Sequence, residues 1–212
     1  MKKITDIKPQ VKSPTRCNIY LDNCFYCGLE LETIMRNRLK IGEEITPERL
    51  DEIQAESESL RALDKAMNFV SRSQKTKKQV SDYLEKKGYT ACTLAAVLDK
   101  MSAYKFVNDK FYAEEYFRQS SKNKGKRLIA AELKRKGVSD EDMSEVLENA
   151  GDETESAIRV AEKHLRSKDK TRENALKCYK YLLSKGFDYD TAKSATDKII
   201  NCEDNDDENN DF

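Results

Sequence analysis

The sequence predicts a mainly α-helical protein, three tandem three-helix repeats in an elongated curved array behind a small N-terminal β-hairpin unit. Three observations carry this expectation. All three prolines, Pro9, Pro14 and Pro47, lie in the first 47 residues, so the following 165 contain none of the residue that breaks helix interiors. A Leu-x-x-Lys-Gly segment recurs, with Gly88, Gly137 and Gly186 spaced 49 residues apart both times. Only 38% of the 212 residues are hydrophobic and 37% are charged, whereas a charged fraction of about 25% is usual. Such a composition suits several small cores better than one large one.

The N-terminal unit is read over residues 1–45. Thr15-Arg16-Cys17-Asn18-Ile19-Tyr20-Leu21 alternates, which puts Cys17, Ile19 and Leu21 on one face of a strand. Asp22-Asn23 is a two-residue turn and Cys24-Phe25-Tyr26-Cys27 returns as the partner strand. Ile4 to Ile7 supplies a third strand. Thr46-Pro47 then pairs an N-cap with proline at the first helical position, opening a helix through Leu60, Leu63, Met67 and Val70.

Three repeats follow, read over 46–104 (with the linking helix), 105–151 and 152–200, and then an acidic tail, 201–212, expected to be disordered. In each repeat a helix (Ala66 to Val70, Ala113 to Phe117, Ala161 to Leu165) precedes the segment that ends in the recurring glycine. Behind the glycine stand an apolar residue (Tyr89, Val138, Phe187) and a third helix, marked by Leu94/Val97/Leu98/Met101, Met143/Val146/Leu147/Ala150 and Ala192/Ala195/Thr196/Ile199. The glycine sits where a helix C-cap needs a left-handed residue, and the preceding lysine suits the helix dipole. Ser139 and Asn108-Asp109 are helix starts. A three-helix unit of this size buries little apolar surface, so neighbouring repeats are expected to stabilise one another.

The net charge of zero conceals segregation. From Arg72 to Lys136 there are 17 basic and 7 acidic residues, whereas Asp140 to Glu155 holds eight acids and no base. Residues 201–212 add six acids and no base, and Glu43 to Glu58 holds seven acids against Arg49. A basic middle of this kind is suited to a polyanion or an acidic protein surface.

Several function classes lack support. The single histidine, His164, disfavours histidine-paired nucleophiles and multi-histidine metal sites. Cys24-Phe25-Tyr26-Cys27 with Cys17 is a partial metal set without a fourth ligand, and redox C-x-x-C pairs begin helices rather than hairpin strands. The six cysteines therefore read chiefly as packing residues, as do Tyr83, Tyr89, Tyr112, Tyr116, Tyr179 and Tyr181. There is no glycine-rich phosphate loop. No segment approaches the roughly 18 apolar residues of a membrane span, and Met1 to Asp6 has no secretory character, so a cytoplasmic protein without cofactor, metal or catalytic site is expected.

The sequence resembles the RecX family, regulatory proteins that bind the RecA recombinase. The resemblance lies in Phe106-Val107-Asn108-Asp109-Lys110-Phe111-Tyr112-Ala113, in Lys124-Gly125-Lys126-Arg127-Leu128 and in Glu132 to Val138. Arg72-Ser73 with Val80 to Tyr89, and Asn18 to Asp22 with Phe25 and Gly28-Leu29, extend it over about residues 2–200. The third repeat matches least well, having Thr196 where the others have leucine, and the Cys24/Cys27 pair and acidic tail depart from the pattern. What the resemblance implies is a monomeric, non-enzymatic modulator lying in the groove of the RecA filament on single-stranded DNA, damping its ATPase, strand exchange and coprotease activities. Arg72, Lys75, Lys77, Lys78, Lys122, Lys124, Lys126 and Arg127 are the expected contacts to filament or DNA. They cluster at the starts of the second helices of repeats one and two, where a helix N-terminus also attracts anions. Two alternatives stay open: that these are only solvated loop charges, and that the chain is a DNA-binding module acting without RecA.

Overall fold

A computed structural model describes residues 1–201 except Lys12 and Lys170; the acidic tail beyond Asn201 lies outside the described residues. Contacts divide the chain into two units, 1–107 and 108–212.

The first unit opens with a four-stranded antiparallel sheet of order β3-β2-β1-β4, formed by β1 (Lys2–Gln10), β2 (Ser13–Leu21), β3 (Cys24–Glu30) and β4 (Glu44–Ile45). Asp22 and Asn23 have φ of 48° and 68°, the left-handed conformation that a two-residue hairpin turn demands and that these residue types tolerate. The alternation of β2 is realised, since Cys17, Ile19 and Leu21 are buried with Ile4, Cys27 and Leu29. This sheet face is covered by α1 (Leu31–Arg36) and by Leu50 and Ile53 of α2 (Pro47–Val70).

Helix α2 serves two cores. Thr46 caps it by accepting from Arg49 N–H, with Pro47 at its first position. Its first turns close the sheet core, whereas Ala62 and Ala66, both fully buried, belong to the core of repeat one. That repeat is completed by α3 (Lys77–Glu85) and α4 (Ala91–Ala103). In the second unit, α5 (Asp109–Ser120), α6 (Lys126–Arg135) and α7 (Asp140–Glu148) form repeat two. Repeat three consists of α8 (Thr154–Leu165), α9 (Arg172–Ser184) and α10 (Tyr189–Asn201).

The recurring segment ends each second helix in the same way. Gly88, Gly137 and Gly186 have φ of 85°, 87° and 88°. The next residue donates its N–H back across the glycine, Tyr89 to Leu84 O, Val138 to Leu133 O and Phe187 to Leu182 O. This Schellman arrangement satisfies carbonyls that the helix leaves unpaired and turns the chain toward the third helix. The pairs Val80/Leu84, Ile129/Leu133 and Cys178/Leu182 are fully buried at equivalent positions. Thr196, the polar residue among the leucines, is also buried, its hydroxyl donating to Ala192 O at 2.8 Å.

Among the described residues no helix is long and apolar enough to cross a membrane.

Candidate functional site

The basic residues singled out in the sequence lie in two inter-helix loops and the helix starts that follow, and the two loops are built differently. In repeat one, Thr76 and Gln79 form a reciprocal capping box: Thr76 Oγ1 accepts from Gln79 N–H at 3.2 Å, and Gln79 Oε1 accepts from Thr76 N–H at 3.1 Å. Its own sequence thus satisfies the start of α3. Arg72, Lys77 and Lys78 are exposed around it, and half-buried Lys75 rests over the Phe69 ring at 5.2 Å and contacts Ser73 Oγ.

In repeat two, α6 starts at Gly125, which has no side chain to cap with, and repeat three completes the terminus. Glu153 Oε1 accepts from Lys126 N–H at 2.5 Å, Gly186 O accepts from Arg127 N–H at 3.2 Å, and Gly125 N–H donates to Lys185 O at 2.9 Å. Lys126 Nζ reaches Ala150 O at 2.9 Å, and Arg127 lies 5.4 Å from the Tyr189 ring. The two backbones meet so closely that a Cβ on Gly125 would come 2.3 Å from Gly186 O, and one on Gly186 would come 2.4 Å from Leu128 N. Lys124-Gly125-Lys126-Arg127 is therefore a joint between repeats as well as a basic loop. The anion-attracting end of α6 is filled by a carboxylate of the chain itself.

Electrostatics follow from these placements. Burial raises the Glu153 carboxyl above its ordinary value even though Lys126 N–H donates to it. Glu132 shows the reverse balance. Burial works to raise it, but hydrogen bonds from Lys124 and the Tyr116 hydroxyl prevail and hold it below the usual carboxylate range. Lys124 Nζ is 2.7 Å from both Glu132 oxygens and is raised in turn by that bond. Lys122 is exposed and makes no ion pair among the described residues. Of the eight expected contacts, Arg72, Lys77, Lys78, Lys122 and Arg127 are exposed, and Lys75, Lys124 and Lys126 are half-buried, with Phe69, Glu132 and Ala150 respectively among their partners.

The partners Glu132 and Glu153 escape a reading of the sequence because their contacts depend on packing between helices. Only the recurrence of lysine before Gly88, Gly137 and Gly186 signals part of the arrangement.

The Cys24/Cys27 pair is not a common site. Strand β3 leaves Cys24 exposed and buries Cys27, whose thiol burial pushes up to about 11, with Asp51 adding to the effect. Among the described residues no cluster of three or more metal-ligating side chains occurs.

A small antiparallel sheet followed by three Schellman-terminated three-helix bundles, with basic loops in the first two, defines a tandem three-helix-repeat protein. Family models match it in the same order: the regulatory protein RecX N-terminal domain over residues 2–46, the first RecX three-helix domain over 62–101 and the second over 108–147. The regulatory protein RecX of Clostridium botulinum is 32% identical over 209 residues, covering 96% of this chain and 99% of the relative. That of Bacillus subtilis is 31% identical over 205 residues, covering 94% and 78%. A crystal structure of regulatory protein RecX shares the fold, with a TM-score of 0.71 at 23% identity, covering 93% of this chain and all of that one. The crystal structure of RecX from Lactobacillus salivarius superposes with a TM-score of 0.60 at 28% identity over 66% of this chain and 96% of that one. The chain belongs to the RecX family of regulatory proteins.

Proposed function

We propose that this protein is a non-catalytic regulator that binds the RecA filament on single-stranded DNA and damps its ATPase, strand exchange and coprotease activities. The observation that carries this reading is family membership over nearly the whole chain, sheet and repeats together. The basic loops support it chemically. Arg72, Lys77, Lys78, Lys122 and Arg127 project from the repeats, where they suit DNA phosphates or acidic filament surfaces. In this reading the protein acts as a cytoplasmic monomer that follows the filament groove.

The test is the single-stranded-DNA-dependent ATPase of a cognate RecA, titrated with this protein at sub-stoichiometric ratios. A clear fall in rate is expected. An unchanged rate, together with no co-sedimentation with the filament, overturns the reading. The exposure of the same loops favours one competing reading, a DNA-binding module acting without RecA. Tight, duplex-specific binding in the absence of RecA is the result that selects it.

A further inference from the structure

Beside the sheet, where α1 meets the middle of α2, lies a cleft that the regulatory reading does not use. Its volume is about 1060 Å³, and all the residues lining it belong to the first unit. Ligand pockets generally measure roughly 300–1,000 Å³, so the space suffices for several side chains of a bound partner.

The wall is apolar because α1 has two faces. Thr33 and Ile34 of this six-residue helix are buried, Ile34 in the sheet core. Leu31 and Met35, one turn apart, line the cleft instead and remain 45% and 70% exposed. Half-buried Leu60 of α2 and exposed Pro14 of β2 line it with them. Isolated exposed apolar residues are ordinary, but here they share one concave surface.

The polar part is an unequal ion cluster. Glu30, at the end of β3, meets Arg16 from β2 and Arg61 from α2, whose Nε atoms lie 3.5 Å and 3.1 Å from the same oxygen, Oε1. Arg16 Nη2 donates to Gly28 O at 2.7 Å, but its Nε is buried without a hydrogen-bond partner. Among the described residues, neither arginine has an ion pair other than Glu30. Two guanidinium groups thus share one carboxylate, which leaves one positive charge unbalanced. Arg36, also on the cleft, adds nothing to that excess, because Glu32 and Glu56 hold it at 2.6 Å and 2.9 Å.

We infer that this cleft binds an acidic–apolar peptide segment of a partner protein, its carboxylate meeting Arg61 and Arg16 and its neighbouring apolar side chain packing on Leu31, Met35 and Leu60. The planar fork of arginine matches a carboxylate, and the flexible thioether of methionine adapts to varied apolar partners. A nucleic-acid backbone fits the cleft less well. Glu30, Glu32 and Asp64 stand among the same lining residues, so closely spaced phosphates would meet acids as well as arginines. A peptide can place one acid at the arginines and uncharged or basic groups beside Asp64. The inference goes beyond the regulatory reading, whose contacts lie in the loops of the repeats, and does not rest on it.

The experiment measures fluorescence anisotropy of a labelled decapeptide of alternating aspartate and leucine, titrated with the full chain in the absence of RecA. Alternating aspartate–serine and lysine–leucine decapeptides serve as controls. Saturable binding of the first is expected, with both controls at least about tenfold weaker, a difference of about 1.4 kcal/mol. Arg61→Gln should weaken binding about tenfold, as for one charge-assisted hydrogen bond, and Met35→Ser about fivefold, as for a partly covered apolar side chain. Glu30→Gln should tighten binding, since it leaves both guanidinium groups to the peptide. Met35 is exposed enough for its replacement to leave the fold intact, which unfolding midpoints check for all three variants. Equal binding of the aspartate–serine peptide reduces the effect to general charge attraction and overturns the inference. So does unchanged affinity in both Arg61→Gln and Met35→Ser. If an oligothymidylate displaces the peptide and itself binds Arg61→Gln more weakly, the cleft holds phosphate and the peptide assignment fails. No recombinase is present, so this outcome is separate from that of the ATPase titration.

Discussion

Glu153 and Asp188 flank the joint between repeats two and three, and their environments push them in opposite directions. Burial raises Glu153 above its ordinary value of 4.5, outweighing the hydrogen bond from Lys126 N–H. A carboxyl raised on folding stabilises the native state fully below its unfolded pKa, and that contribution is lost as pH rises through the folded pKa. Asp188 is lowered, chiefly because its Oδ1 accepts from Thr191 N–H at 2.7 Å at the start of α10, so its contribution is present above its unfolded pKa and is lost as pH falls through the folded one. Glu153→Gln keeps the acceptor for Lys126 N–H but never acquires charge. Relative to that variant, the unmodified protein should lose stability as pH rises above the ordinary carboxyl range and through the raised folded value, read as urea-unfolding midpoints at each pH. Parallel pH profiles for the two proteins would show that Glu153 carries no such burial cost.

The start of α6 separates two accounts of a helix terminus. An isolated helix beginning at glycine gains a few tenths of a kcal/mol when serine replaces it, because serine caps the free N–H groups. Gly125 has an ordinary φ of −80°, so backbone conformation alone does not demand glycine there. Its neighbour does, since any Cβ would enter the Gly186 carbonyl at 2.3 Å. Gly125→Ser should therefore destabilise the second unit by about 1–3 kcal/mol, the range for overpacking, despite supplying a better cap. Urea unfolding of the full chain measures this, and a neutral or stabilising result would mean that the joint yields easily. The same loop shows how far the sequence can be read. The Schellman glycines, the caps at Thr46, Asn108 and Ser139, the Asp22-Asn23 turn and the buried positions Val80, Ile129 and Cys178 depend on neighbours within a few residues, and each is legible from spacing and residue type. Glu153 capping a helix 27 residues upstream is not, because that contact exists only once two repeats have packed. The basic loops were visible as charge, but their division into exposed and internally committed lysines was set by partners such as Glu132 and Ala150 on other helices.

The two units of the chain each own their stabilising interactions. In residues 1–107, α2 ties the sheet core around Leu50 and Ile53 to the repeat core around Ala62 and Ala66, so neither part is complete without that helix. In the second unit, repeat two contributes only Ala113, Ile129, Leu133, Val138, Met143 and Val146 to its buried core and borrows Glu153, Lys185 and Gly186 to finish α6. A core that small is marginal by itself. Fragments 1–107 and 108–212 should therefore each unfold cooperatively in urea, followed by circular dichroism, whereas 108–151 should show no cooperative transition. A folded 108–151 would show that the contacts to repeat three are dispensable. Dividing the chain should also cost function more than it costs folding. Two modest contact surfaces held on one chain gain about 10²–10⁴ in apparent affinity from effective concentration alone, provided both engage together. Under the proposed function, neither fragment, nor the two mixed, should depress the RecA ATPase at ratios where the intact protein is expected to. If one fragment alone matched the full chain, that unit would hold the whole binding surface, and contacts shared between repeat one and repeat two would have to be abandoned.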